Sequence, residues 1–402
     1  MNDVRETGFK ERTRLATARE RLLETPPVQR TERVSLSVAD GRVAAEPVDA
    51  ARNVPHYARA AMDGWAVRAA DTFGASDRSP AVLRPADSVG PDTAVRVHTG
   101  SELPDGADAV VKVEAVDEVG GELEAFDAVA EGENVAPVGE DVEAAQRLYD
   151  PGDQLRSSDL GLLKATGLDT VEAVAEPEVA VVPTGEELVQ ADPDPGEVVE
   201  TNRFTISRLA ERWGADVTRR NIVTDDREAL RAAVERDLTR DVVVTTGGSS
   251  VGERDLVPEV ADELGEVFVH GVALKPGHPV ALGRVDDVTV VMLPGYPVAA
   301  IVNAVQFLRP LVKHLGRMPR HPLPTREATL ARKIRSEPGV RTFARVTLED
   351  SDGELTATPT RASGAGVLSS VALADGWVVV PERREGIPEG ETVTVQNWEY
   401  HE

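Results

Sequence analysis

Four stretches of this 402-residue chain combine residue types that can do chemistry. The first is Thr245-Thr246-Gly247-Gly248-Ser249-Ser250-Val251-Gly252-Glu253-Arg254-Asp255, which leaves the end of the apolar run 241–246. Its glycines let backbone N–H groups approach an anion, and its hydroxyls add donors. In open α/β sheets, ligands bind where such loops leave the carboxyl ends of strands. The spacing is neither G-x-G-x-x-G nor a Walker A loop, so no dinucleotide or NTP fingerprint is met. An ordinary glycine-rich turn has the same composition. The second stretch, Pro183-Thr184-Gly185-Glu186-Glu187-Leu188, also follows an apolar run and projects Glu187 over the sheet edge; a plain surface turn is the alternative. The third is a pair of stiff turns, Leu274-Lys275-Pro276-Gly277-His278-Pro279 and Leu293-Pro294-Gly295-Tyr296-Pro297. One presents a cation and an imidazole, the other a phenol. Stiff loops hold ligands at little ordering cost, although turn chemistry alone also explains them. The fourth, Ala61-Met62-Asp63-Gly64-Trp65-Ala66-Val67, reads first as a structural Asp-Gly turn. Val97-His98-Thr99-Gly100 and Gly139-Glu140-Asp141 are weak taken singly.

Composition narrows the chemistry. There is no cysteine, which removes disulfides, thiolate metal sites and thiol nucleophiles. The seven histidines show no metal-ligand spacing, and only His278 stands out, by its loop. Any metal therefore takes O or N ligands. The net charge is −26, but residues 101–200 hold 27 acidic and 4 basic side chains, and residues 301–350 hold 4 acidic and 10 basic. Arg326, Arg332, Lys333, Arg335, Arg341 and Arg345 read mostly as a solvated basic face, with one or two able to reach an oxyanion. Six Lys against 38 Arg, much acid and 4% aromatics suggest a salt-adapted, haloarchaeal protein. At 1 M salt the screening length is only ~3 Å, so an acidic surface hardly repels itself. The acidity argues against a nucleic-acid partner and leaves room for a small anion in a local pocket. The charged N-terminus is no secretory signal, and no apolar run approaches the ~18 residues of a membrane helix, so a cytoplasmic, membrane-free location is expected.

These residues need elements to position them. The apolar spacing predicts a helix over 8–25, stopped by Pro26-Pro27. Residues 50–140, rich in Gly and Pro with short alternating runs, read as a small β module. A helix near 158–166 suggests that 143–175 packs back on the N-terminal helix, which makes the module an insertion. From 177 to 315, short apolar runs alternate with helices, the pattern of a parallel sheet covered on both faces. Pro319, Pro322 and Pro324 mark a linker, and 325–402 alternates like a small β-barrel or sandwich.

The motifs also occur in a fixed order. Over essentially its full length the chain resembles the molybdopterin molybdotransferases, the MoeA family. The resemblance rests on AAMDGWAV (60–67), VHTG (97–100), VGED (138–141), VPTGEEL (182–188), ETNR (200–203), VTDD (223–226), TTGGSSVGERD (245–255), LKPGHP (274–279) and LPGYP (293–297). It implies a multidomain α/β plus β fold with four parts. These are an elongated discontinuous N-terminal domain (1–48 with 143–176), an inserted β module (49–142), a three-layer α/β molybdopterin-binding domain (177–322) and a C-terminal β-barrel (323–402). It also implies a homodimer, with the cleft between the α/β domain of one subunit and the inserted module of the other. The implied reaction takes adenylylated molybdopterin and molybdate, and is Mg²⁺-dependent. It releases AMP and the finished molybdenum cofactor, with a molybdopterin adenylyltransferase as candidate partner.

The implied catalytic residues are Asp63, Thr99, Asp141, Glu187, Asp226 and Asp255. Of these, Glu187, Asp226 and Asp255 are the expected Mg²⁺ ligands. So many carboxylates in one cleft raise each other's pKa, and a hard divalent cation is the natural counter-charge. Thr184, Gly185, Asn202, Gly247, Gly248, Ser249, Ser250, Gly252, Pro294 and Pro297 are expected around the pterin and phosphate. Lys275, His278, Arg345 and Ser370 suit an oxyanion such as molybdate. The chain departs from the family where His278 replaces a second Lys, Tyr296 replaces Asn, and Ala60-Ala61 replaces the usual Ser or Asn. A neutral imidazole leaves less positive charge on the oxyanion. The alternatives are therefore a paralogue using tungstate, a molybdopterin adenylyltransferase with the same α/β domain, or a non-catalytic dimeric scaffold.

Overall fold

The computed structural model describes residues 12–247, 256–360 and 364–400. The chain forms two compact units, one of residues 32–173 and one of the remainder. In the first, strands β1 (Gly64–Val67), β2 (Ala81–Pro85), β3 (Thr93–Val97), β4 (Ala109–Lys112), β5 (Val116–Val119) and β6 (Glu122–Ala125) make a six-stranded sheet in the order β4-β1-β3-β2-β6-β5. Trp65, Val67, Leu83, Val111 and Leu123 fill its core. Asp63-Gly64 is not the turn that its composition suggests. Gly64 starts β1 and pairs with Val97 and Lys112 on either side. A Cβ at Gly64 would lie 2.0 Å from the Val111 carbonyl oxygen, so only glycine lets the strands approach there. In the same unit, the helix Ser157–Ala165 buries Leu163 with Leu155, Val34 and Ala44.

The second unit contains the α/β domain. Strands β7 (Glu178–Pro183), β8 (Asp216–Arg219), β9 (Val242–Thr246), β10 (Glu266–His270), β11 (Ala281–Val285) and β12 (Val288–Leu293) form one sheet in the order β8-β7-β9-β12-β11-β10. Every residue of β9 and β12 is buried, as continuous apolar runs require. The sheet is mixed, a correction to the all-parallel expectation. β8, β7, β9 and β12 are parallel, while β11 runs antiparallel to both its neighbours, β12 and β10, so that β11 alone is reversed. The reason is the connection. Only Asp286-Asp287 joins β11 to β12, with Asp286 at φ 52°. So short a link makes a hairpin, since a parallel pair needs a crossover. Helices Asn202–Arg212, Arg227–Arg236, Leu256–Leu264 and Pro297–Leu315 accompany the sheet, the last widened into a π turn at Ala304–Leu308.

The N-terminal helix α1 (Leu15–Leu22) contributes to the α/β core and not to the Leu155–Leu163 cluster of the 143–175 stretch that the sequence suggested for it. Its apolar stripe of Leu15, Ala18 and Leu22 is buried in the α/β core with Val272 and Phe307. Thr13 fixes the approach: its N–H donates to Gly271 O (3.0 Å) and its carbonyl accepts from Ala273 N–H (2.8 Å). Strands β13 (Thr325–Leu330), β14 (Arg341–Ser351), β15 (Glu354–Pro359), β16 (Gly376–Val380) and β17 (Thr392–Gln396) close into a five-stranded barrel, β14-β15-β13-β17-β16-β14. Among the described residues no helix is long and apolar enough to cross a membrane.

The barrel shares core with the α/β domain through Phe343, Trp377 and Trp398. Trp377 is fully buried, stacked on Trp398 at 5.3 Å and edge-on to Phe343 at 5.3 Å. Its Nε1–H donates to Gln396 Oε1 at 3.0 Å. Trp377→Ala removes this contact and leaves Gln396 without its donor. The expected loss is about 3–5 kcal/mol, read from the urea midpoint of the barrel's transition; a loss below about 1 kcal/mol would contradict this packing.

Candidate active site at the carboxyl edge of the α/β sheet

β7, β9 and β12 end level, with Pro183 beside Thr246 and Thr246 beside Leu293. The backbone stays paired one step further: Thr184 N–H donates to Thr246 O (2.9 Å) and Gly247 N–H to Leu293 O (3.1 Å). Gly247 has φ +109°, and a Cβ there would sit 2.0 Å from Thr184 O. Glycine is obligatory on both counts. Asn202 Nδ2 donates to Gly295 O at 2.7 Å, tying the helix Asn202–Arg212 to the turn after Pro294. The structure thus brings together Thr184, Gly185, Asn202, Gly247 and Pro294. The hydroxyls of Thr184, Thr245 and Thr246 are buried without hydrogen-bond partners among the described residues, and Thr184 and Thr245 line a small cavity with Leu230, Val234 and Val257. Gly248, Ser249, Ser250, Gly252 and Asp255 lie outside the described residues.

Carboxylates gather beside this edge. A Cβ at Gly185 would lie 2.8 Å from Glu187 Oε2, so Glu187 folds back over Gly185. Gly185 N–H donates to Val223 O (3.1 Å), which brings in the 223–226 stretch. Asp226 caps the helix Arg227–Arg236, its Oδ1 accepting from Ala229 N–H at 2.9 Å. The neighbouring Asp225, which sequence reasoning missed, is the one that faces the acids. Burial, then Glu187 and Glu186, hold its carboxyl above the usual range. Its Oδ1 is buried with no hydrogen-bond partner among the described residues. The cap rule supplied the missing signal: an Asp just before a helix spends its side chain on backbone N–H groups. Among the described residues no three acids or imidazoles form a metal cage. The oxygen donors of Glu187 and Asp225 nevertheless fit a hard cation, which would meet the orphaned Oδ1.

Cations lie on the barrel side. Lys275 Nζ donates to Glu337 Oε1 at 2.8 Å, and both side chains are exposed. The Lys275 turn is clamped by Asn303, also missed, whose Nδ2 donates to Gly277 O at 2.9 Å. Burial, then Arg12 and Lys275, lower the pKa of His278. Arg345 is only 7% exposed, so it is no part of a solvated face. Its Nη2 donates to Ser370 Oγ at 3.3 Å, and burial lowers its pKa. Pro297 opens the helix after Tyr296, and Val298 N–H donates to Ala365 O (3.0 Å), linking this turn to the segment before Ser370.

Asp63 and Thr99 meet within the other unit. Thr99 donates twice to Asp63 Oδ1, from its N–H at 2.7 Å and its hydroxyl at 2.9 Å. These bonds, backbone first, hold the carboxyl below its usual pKa, with help from His98 and Arg96. Asp141 is exposed on a different loop, where its N–H donates to Val54 O at 3.0 Å.

Three family models match along the chain: "MoeA N-terminal region (domain I and II)" at residues 13–167, "Probable molybdopterin binding domain" at 180–314 and "MoeA C-terminal region (domain IV)" at 327–398. A molybdopterin biosynthesis protein of Methanocaldococcus jannaschii is 34% identical, the match covering 91% of this chain and 92% of that one. The chain belongs to the MoeA family. The molybdopterin molybdenumtransferase of Haemophilus influenzae is 30% identical, over 95% of this chain and 98% of its own. The crystal structure of a MoeA protein from Pyrococcus horikoshii superposes with a TM-score of 0.82 at 34% identity, covering 96% of this chain and 99% of that one. The binding-domain model runs from β7 to the end of the Pro297–Leu315 helix, which includes the glycine-lined edge.

In this MoeA-family chain, Thr99→Val deletes the hydroxyl donor to Asp63 and keeps the N–H donor. The Asp63 pKa is expected to rise part of the way to the ordinary carboxylate value, followed by carbon NMR of the side chain. An unchanged titration would show that the hydroxyl bond contributes nothing.

Proposed function

We propose that this chain is a molybdopterin molybdenumtransferase, which places molybdate on adenylylated molybdopterin and releases AMP. The observation that carries this reading is the edge at Thr184, Gly185 and Gly247, where backbone meets backbone and three buried threonine hydroxyls lack partners among the described residues. Such an edge, free of side-chain bulk at Gly185 and Gly247, lets a phosphate or a pterin edge come close to the backbone. Asn202, Pro294 and Pro297 hold the adjoining turn, and Gly248, Ser249, Ser250 and Gly252 continue the loop. Arg345 with Ser370, and Lys275 with His278, form the oxyanion side. Lys275 must exchange Glu337 for the anion, and the lowered pKa of His278 leaves a neutral donor or acceptor near pH 7.

Glu187, Asp226 and Asp255 are proposed to hold Mg²⁺, with Asp225 beside them. Mg²⁺ bound there supplies counter-charge for the phosphates of the substrate. Asp63 is an ionised carboxylate whose Oδ1 is fixed by Thr99, which orients the group toward substrate. Asp141 belongs to the same reading. By family resemblance Asp63, Thr99 and Asp141 act on the α/β edge of a second subunit, so a homodimer is part of the proposal. The four-part division at 49, 143, 177 and 323 goes with it, with α1 anchored on the α/β core. The acid-rich, lysine-poor composition supports a salt-adapted cytoplasmic enzyme. Similarity over the whole length to a molybdenumtransferase supports molybdate insertion over a tungstate-using paralogue, an adenylyltransferase or a scaffold.

Pure protein with adenylylated molybdopterin, molybdate and Mg²⁺ is expected to release AMP. Asp63→Asn should lower release by about a hundredfold or more while leaving the solution size unchanged. Near-normal release in that variant would refute its role. Mixing Asp63→Asn with Lys275→Ala, each inactive alone, should restore part of the activity. No recovery after subunit exchange would place both residues in one subunit's cleft. Synthesis of the adenylate from ATP would assign the earlier reaction instead.

A further inference from the structure

A cavity of about 440 Å³ opens between α1, the π turn and the barrel. Its walls carry the guanidiniums of Arg19, Arg309, Arg320 and Arg341 and the imidazole of His321. Phe343, Leu323 and Val379 line the apolar remainder. The arginines come from three places in the sequence, so the fold and not a local charge run brings them together.

The helix is built to hold one of them. Pro310 has no N–H to give to the Gln306 carbonyl, and the chain widens to a π turn over Ala304–Leu308. Gln306 then takes Arg19 in a two-point grip: its carbonyl accepts from Arg19 Nε (3.1 Å) and its Oε1 from Nη2 (2.8 Å). Both acceptors are neutral, so Arg19 is positioned without being neutralised. Burial, then Arg341, Arg320 and Arg309, lower its pKa. Glu382 meets Arg341 Nη2 at 3.0 Å, yet Arg341 Nε is buried with no partner among the described residues. Arg320, exposed at the rim, pairs with no carboxylate among the described residues. Arg309 Nη2 donates to the His321 carbonyl at 2.9 Å. Arg341, Arg320 and Arg309 all act on the positive charge of Arg19, and an anion entering the space between them would relieve that repulsion.

We propose that this cavity is a binding site for a phosphate-bearing small molecule, separate from the carboxyl edge of the α/β sheet. Planar guanidiniums match phosphate oxygens in pairs, and the volume exceeds what one phosphate fills. The apolar wall at Phe343 gives the rest of such a molecule a place to lie. The ligand is either a free phosphate or pyrophosphate, or the phosphate of an organic molecule.

Calorimetric titration of the full chain at low ionic strength tests this with inorganic phosphate, pyrophosphate, AMP and adenosine as probes. Pyrophosphate and AMP are expected to bind, adenosine is not, and binding should weaken steeply with salt. Tighter binding of AMP than of phosphate points to an organic ligand; the reverse points to the free anion. Arg320→Gln, at the exposed rim where folding is not at risk, should weaken binding about tenfold. Arg19→Gln should do the same, with Arg19→Lys restoring part of it. Arg345→Gln, at the other site, should leave this binding intact. The proposal is overturned if no phosphate probe binds, if adenosine binds as well as AMP, or if Arg345→Gln removes the binding and Arg320→Gln does not.

Discussion

The carboxyl edge of the α/β sheet depends on how closely three strand ends can lie. Thr184 O occupies the space where a side chain at Gly247 would begin, and Gly295 has Gly247 Cα 3.3 Å from its own missing Cβ. Because backbone meets backbone there, the strand ends stay hydrogen-bonded to one another and add no side-chain bulk at Gly247. Level strand ends follow from the register of β7, β9 and β12. That register in turn is held by side chains buried on both faces of the sheet. Hydrophobic burial sets the frame, and the absence of a few Cβ atoms makes the frame useful.

The same economy recurs at Gly64, beside Asp63, where a strand and not a turn explains the glycine. It recurs at Gly277, where Asn303 Nδ2 lies 2.1 Å from the position of an added Cβ. In each case a glycine next to a chemically useful residue lets a neighbouring element close in and fix it. At Gly64 that element is β4, through the Val111 carbonyl, and at Gly277 it is Asn303.

Much of this was legible in the sequence. Continuous apolar runs marked β9 and β12, and the motif order gave the family and the barrel. The parts that were not legible depend on contacts remote in sequence. The apolar stripe of α1 says that it is buried, not on what, and it lies on Val272 and Phe307. The hairpin at Asp286-Asp287 was available as a two-residue link, but the periodicity of its strands resembles that of parallel ones. Adjacent acids at 225 and 226 differ in role because one begins a helix. Arg341 and Arg345 read as solvated from their charge alone; on β14 Arg345 is buried and Arg341 half-buried. Residues 248–255, the richest motif of all, lie outside the described structure.

Closure of the last domain has an effect beyond its own stability. β16 pairs back onto β14, so all five strands have neighbours on both sides and none offers a row of free amides to another chain. The open edges of the six-stranded sheet belong to β8 and β10. β8 runs from Asp216 to Arg219 and β10 begins at Glu266, so each carries charge at an end. A foreign strand docking there must bury that charge, which guards the protein against edge-to-edge aggregation.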